Sequence, residues 1–106
     1  MDSKNNIISE IVKMADDKYP NAEIYLYGSH ARGDSTKLSD WDLLVLLNQA
    51  NVPFELETQV MDDFYDLELE TGAIISPLIY SKSDWTLHRA FTPLYKNIQK
   101  EGIKIK

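Results

Sequence analysis

The sequence predicts a mixed α/β domain in which helices pack on a small β-sheet. Three observations lead there. Segments of helical periodicity alternate with short β-branched and aromatic runs. The order along the chain is helix, strand, helix, strand, helix, strand, helix, which suits a layered α/β arrangement. With 106 residues and 43% hydrophobic content, the chain can build one ordinary core, so residues 1–106 read as a single domain.

The elements follow in order. In "SKNNIISEIVKMADDKYP", Ile7, Ile8, Ile11, Val12 and Ala15 share one helical stripe, which predicts a helix over about 4–18. Ser3 is placed to cap it and Pro20 to stop it. "EIYLYG" reads as a strand ending at Gly28. "SHARGD" opens at Ser29 and has room for one or two helical turns, and "STKLS" is a loop. "DWDLLVLL" is a strand whose continuous apolar tail predicts burial on both faces.

Pro53 suits the first turn of a helix. Val60, Met61, Phe64 and Leu67 follow helical spacing, although "DLELE" at 66–70 also alternates as a strand does. The helix reading is preferred, over about 54–70 with Gly72 as its stop. "AIISPLIYS" is a strand, and Pro77 places it at an edge or a bulge. Ser83 is expected to cap a short helix through "DWTLHRAF". Thr92 and Pro93 form a cap-plus-first-turn pair for a last helix ending near Gly102, and "IKIK" adds a short strand.

Eleven Lys and Arg against 17 Asp and Glu give a formal charge of −6. That field repels nucleic-acid phosphates at long range and argues against general RNA or DNA binding. A basic protein partner fits better, as does a nucleotide whose charge is offset by a metal ion. There are no cysteines, which excludes disulfides, zinc–thiolate sites and cysteine nucleophiles. No apolar run is long enough to span a membrane, and the start of the chain lacks a signal-peptide pattern. A cytoplasmic location is expected.

The chemistry concentrates in "LYGSHARGDSTKLSDWDLLVLL". Asp40 and Asp42 are two apart at the mouth of a strand, so their carboxylates share a face while Trp41 and Leu43 take the other. Two such groups repel each other, and burial drives a proton onto one of them unless a cation intervenes. Mg²⁺ is a hard ion held by one or two carboxylates plus substrate phosphates. Alone, an Asp-x-Asp pair is more often a solvated loop-to-strand junction. Gly28 and Ser29 change the context. They sit between a strand and a helical turn, where backbone N–H groups and a hydroxyl can meet phosphate and a glycine permits close approach. Arg32 either contacts phosphate or pairs with acids such as Asp34.

The pattern "GSHARGDSTKLSDWDLLV" resembles the signature of the DNA polymerase β-like nucleotidyltransferase superfamily, and within it the minimal nucleotidyltransferases of the MNT group. The matching residues are Gly28, Ser29, Ala31, Arg32, Gly33, Ser39, Asp40, Asp42, Leu43 and Val45. The resemblance implies a polymerase β palm-like fold and transfer of a nucleoside monophosphate, AMP from ATP, with Mg²⁺ or Mn²⁺ as cofactor. Asp40 and Asp42 would bind the metal and act catalytically. Gly28, Ser29, Arg32 and Ser39 would bind nucleotide.

The superfamily's usual third carboxylate has no counterpart in "AIISPLIYS", where Ser76 is placed to stand instead. Only if 66–70 were a strand would Asp66, Glu68 or Glu70 supply it. Larger relatives add a domain for the acceptor, for which this chain has no residues left. MNT proteins are paired with HEPN proteins in toxin–antitoxin-like modules, so a HEPN-type partner protein is the expected acceptor, and homo-oligomerisation is left open. Two alternatives stand beside this reading: a catalytically degenerate antitoxin that binds nucleotide or partner without chemistry, and an antibiotic adenylyltransferase.

Overall fold

The computed structural model of the chain describes residues 3–106, with side chains from residue 6 onward. Nine elements follow one another: α1 (Ser3–Lys18), β1 (Glu23–Tyr27), α2 (Ser29–Arg32), β2 (Trp41–Leu47), α3 (Phe54–Thr71), β3 (Ile75–Ser81), α4 (Lys82–His88), α5 (Pro93–Glu101) and β4 (Ile103–Lys104). The predicted cap on α1 falls to the side chain of Ser3, which lies outside the described residues.

The four strands form one mixed sheet in the order β3-β2-β1-β4. β1 runs antiparallel to both β2 and β4, while β2 and β3 are parallel. A parallel pair needs a long crossover, and α3 supplies it. Pro77 cannot donate to a ladder, and β3 is an edge strand, as the sequence predicts.

Side-chain alternation sorts the sheet into two faces. Leu43, Val45 and Leu47 of β2 join Ile24, Leu26, Ile11, Val60 and Phe64 in a core under α1 and α3. Leu44 and Leu46 turn the other way and pack with Trp85 of α4 and Ile98 of α5. β2 is therefore apolar on both sides from Leu43 onward, which is what its unbroken run encodes. Across the α1–α3 seam, Asp63 accepts hydrogen bonds from Lys18 at 3.0 Å and from the Tyr19 hydroxyl at 2.5 Å. Burial and that carboxylate hold the Tyr19 hydroxyl well above the usual tyrosine range.

Helix ends follow local chemistry. Gly72 closes α3 in the left-handed conformation at φ 75°, as predicted. Thr92 caps α5, its side chain accepting from Tyr95 N, with Pro93 behind it. Two expectations need correction. α4 is capped by Ser81, which accepts from Asp84 N at 3.0 Å, rather than by Ser83. That helix ends at His88, and Phe91 lies in the following turn with its ring exposed. Met61 keeps the helical period of α3 as predicted, and it lies on the outer side of the helix, 43% exposed, while Val60, Phe64 and Leu67 are buried. The helical reading of 66–70 holds, which removes the strand that would have carried a third acid there.

Candidate active site

The site is built where the sheet face towards α4 and α5 runs out of apolar cover. In register, Tyr27 of β1 is opposite Asp42 of β2, and Asp42 is opposite Ser76 of β3. Three polar side chains from three adjacent strands thus share one face at one level. One residue pair further along, Tyr25, Leu44 and Leu78 occupy the corresponding places and belong to the apolar cluster.

Asp40 stands one residue ahead of β2 and is exposed. The Ser76 hydroxyl donates to its Oδ2 at 3.1 Å. One serine is therefore opposite Asp42 in the sheet and hydrogen-bonded to Asp40, tying the two acids to β3. Asp42 is half-buried and accepts no hydrogen bond from a described residue. Burial pushes its carboxyl above the usual aspartate range, and the neighbouring charge of Asp40 adds to this. His30 and Arg32 pull the other way. The Tyr27 hydroxyl is pushed up to about 12 by burial, with Asp42 and Tyr80 contributing. It is a neutral hydrogen-bond donor at physiological pH.

Gly28 adopts φ 76° and ψ −157°, a region essentially closed to residues with a side chain. A Cβ there would also lie far inside van der Waals distance of Asp42 Oδ2. The glycine is thus required twice: the backbone turn needs it, and the Asp42 carboxylate occupies its open side. α2 is a single short turn, and Gly33 ends it at φ 85° while donating its N–H to Ser29 O. The Ser29 hydroxyl has no hydrogen-bond partner among the described residues.

The remaining predicted residues are held by the protein itself. Arg32 Nε pairs with Asp34 and another guanidinium nitrogen pairs with Glu101, each at 3.2 Å. Ser39 Oγ accepts from Thr36 N at 2.8 Å and closes the 36–39 turn. Ser39 lines a hollow of about 460 Å³ together with Trp41 and Ile74. His30 is buried, which its position in the motif does not announce. Its ring stacks on Trp41 at 3.6 Å between centroids and 9° between planes, and Nε2 donates to Ser39 O at 3.2 Å. This stack fastens the start of β2 to α2, and so fixes Asp42 relative to Gly28.

Among the described residues, no three His, Cys, Asp or Glu side chains converge. A hard cation would be held here by Asp40 and Asp42, with phosphate and water oxygens completing its shell, and that donor set suits Mg²⁺. The Asp42 carboxylate, half-buried beside a like charge and without a hydrogen-bond donor among the described residues, fits that group. Asp66, Glu68 and Glu70 do not join it. Asp66 and Glu70 line the α1–α3 groove, and Glu68 Oε1 accepts from Ile75 N at 2.7 Å.

Two carboxylates at the start of a central strand, beside a strand–glycine–serine turn on a small mixed sheet, make up the candidate site. The chain belongs to the nucleotidyltransferase domain family, which it matches over residues 8–105. It is 32% identical over 108 residues to a Methanocaldococcus jannaschii protein named "Putative protein adenylyltransferase", covering 94% of this chain and 95% of that one. Solved structures share the fold. One chain from a toxin–antitoxin crystal structure with AMP-PNP aligns at TM-score 0.69 and 21% identity, over 93% of this chain and 72% of that one. A chain from a mutant MntA–HpeT toxin–antitoxin structure aligns at TM-score 0.68 and 19% identity, over the same shares. Among the described residues, no helix is long and apolar enough to cross a membrane.

Proposed function

We propose that this domain transfers AMP from ATP to a hydroxyl of a partner protein, of HEPN type, in a toxin–antitoxin-like pair. The observation that carries the reading is the grouping of Asp40, Asp42, Gly28 and Ser76 at the start of β2 in a chain of this family. The adenylyltransferase name of the M. jannaschii relative supports AMP as the group moved. The toxin–antitoxin origin of the structural neighbours supports a protein partner.

Asp40 and Asp42 would hold Mg²⁺ or Mn²⁺ when nucleotide binds. When bound, that ion neutralises charge gathering on the α-phosphate and the leaving pyrophosphate. The residues of the chain do the rest. Gly28 leaves the Asp42 carboxylate its place, and Ser76 orients Asp40 from β3. The Ser29 hydroxyl, together with the α2 backbone, meets the outer phosphates. Arg32 and Ser39 stay within reach of the nucleotide while keeping their present partners. The acceptor oxygen bonds to the α-phosphorus as the bond to the bridging oxygen breaks, and pyrophosphate departs with the electron pair. The acceptor's proton finds no third carboxylate at position 76, so the partner or solvent takes it, and transfer is slow.

The test is incubation with α-labelled ATP, Mg²⁺ and the protein encoded beside it. Label should appear on the partner, and Asp40→Asn should abolish it. ATP affinity that is the same for wild type and Asp42→Asn, with Mg²⁺ and with chelator, would sink the metal-site reading. One observation favours a second reading. With Ser76 where the third acid belongs, the domain could neutralise its partner by binding alone. Metal-dependent ATP binding with no labelled partner would select it.

A further inference from the structure

The outer side of α3 carries an apolar stripe that nothing among the described residues covers. Phe54 is 80% exposed, Tyr65 56% and Leu69 68%, with Met61 between them. Steps of seven, four and four residues place these four side chains along one line of the helix. At 1.5 Å per residue the line runs about 22 Å. Large apolar side chains scattered singly over a surface need no explanation, but Met61, Tyr65 and Leu69 follow one another a turn apart, and Phe54 extends their line beyond Thr58, which marks an interaction surface.

Charge tells what fits it. α3 contains seven acids and no Lys or Arg. Of these, Glu55, Glu57 and Asp62 border the stripe and form no ion pair with any described residue. A second copy docked through the same helix would set these acids against their own kind, which is unfavourable. A straight seam about four turns long, with side chains at helical spacing, matches the ridge of another helix.

We infer that the outer face of α3 is a docking surface for a basic amphipathic helix of a different protein, with an apolar seam flanked by Lys or Arg. The inference rests on the proposed transfer only in taking the acceptor to be a protein, and the docking itself needs no nucleotide. The face is distinct from the Asp40–Asp42 site, so partner capture and chemistry are separable.

The probe is a fluorescein-labelled amphipathic peptide of about 18 residues, with Leu along its seam and Lys on the flanks, read by anisotropy. Wild type should bind it saturably. The double variant Met61→Glu/Leu69→Glu should bind about tenfold more weakly or worse. Raising salt from about 50 mM to about 500 mM should also weaken binding severalfold. Glu55→Lys/Asp62→Lys removes no apolar side chain, and it should weaken binding even if the first variant folds poorly by circular dichroism. Asp42→Asn should bind the peptide as wild type does, and the α3 variants should keep wild-type ATP affinity. Failure of the nucleotide reading would therefore appear only in the ATP titration. Equal peptide binding by wild type and both α3 variants would overturn the docking surface. So would equal binding of a Glu-flanked peptide. A wild-type dimer in sedimentation that Met61→Glu/Leu69→Glu converts to monomer would assign the face to a second copy instead.

Discussion

The two faces of the sheet are built to different ends. Towards α1 and α3, the odd-numbered residues of β2 from Trp41 to Leu47 are all buried and apolar. Towards α4 and α5, the even-numbered residues begin with Asp42 and only then become Leu44 and Leu46. One face holds the domain together along its whole length. The other does so over half its length and leaves the rest to polar groups. The apolar half gives the polar half its precision, since Asp42 is the second residue of a strand whose next five positions are buried. Acids on a free loop would have no such fixed spacing from Gly28 and Ser76.

The comparison can be broken most severely on the closed face. Phe64→Ala should cost about 3–5 kcal/mol, a large part of the stability of a domain this small, and should be visible in a urea melt. Asp40→Asn on the open face should abolish the proposed transfer while leaving the melt essentially unchanged. If both substitutions destabilise alike, the faces do not divide the labour.

A pH series sharpens the same contrast. Asp42 has a folded-state carboxyl raised above its ordinary value of 3.8. In the absence of cations, the stability tied to its protonated form is present below that value and lost as pH rises through the folded value. Asp42→Asn should therefore melt higher than wild type near pH 7 without metal, and the advantage should vanish near pH 3. Adding Mg²⁺ and ATP should raise the wild-type melting temperature but not that of the variant. An Asp42→Asn that is less stable than wild type at pH 7 would mean that the carboxylate is held by contacts absent from this geometry.

Ser76→Asp places an acid in register with Asp42 and beside Asp40. Tighter Mn²⁺ binding, read by calorimetry, and faster transfer are expected. Ser76→Ala should lower both modestly by freeing Asp40. No change in either variant would remove Ser76 from the site. The smallest effect belongs to helix capping: Ser81→Ala should cost about 1 kcal/mol in the melt and leave ATP binding untouched.

Much of this was legible in the sequence, for reasons that are local. Gly72 and Thr92–Pro93 mark helix ends because caps depend on a few neighbouring residues. The run after Asp42 reads as a doubly buried strand because its composition is apolar at both parities. Pro77 predicts an edge strand because it has no N–H to donate. Gly28, Ser29, Asp40 and Asp42 stand out because their types and spacing carry chemistry. Local signals also left some questions open. Met61 keeps the helical period but sits on the exposed flank of α3, because periodicity shows that a helix has an apolar side without showing which residues at its margin meet a neighbour. Ser81 and Ser83 are both plausible caps, and the exact point where β3 ends decides between them.

The sequence by itself determined the element order, the mixed α/β class, the acidic charge and the candidate carboxylates, since each follows from residue type and short-range spacing. Only the tertiary structure decided what stands around those carboxylates. Tyr27 opposite Asp42, the Ser76 hydroxyl on Asp40, Asp42 on the open side of Gly28 and His30 stacked on Trp41 all depend on strand register and on how α2 returns to β2. Register is a property of pairs of strands far apart in the chain, and it is set by which apolar faces must be buried together.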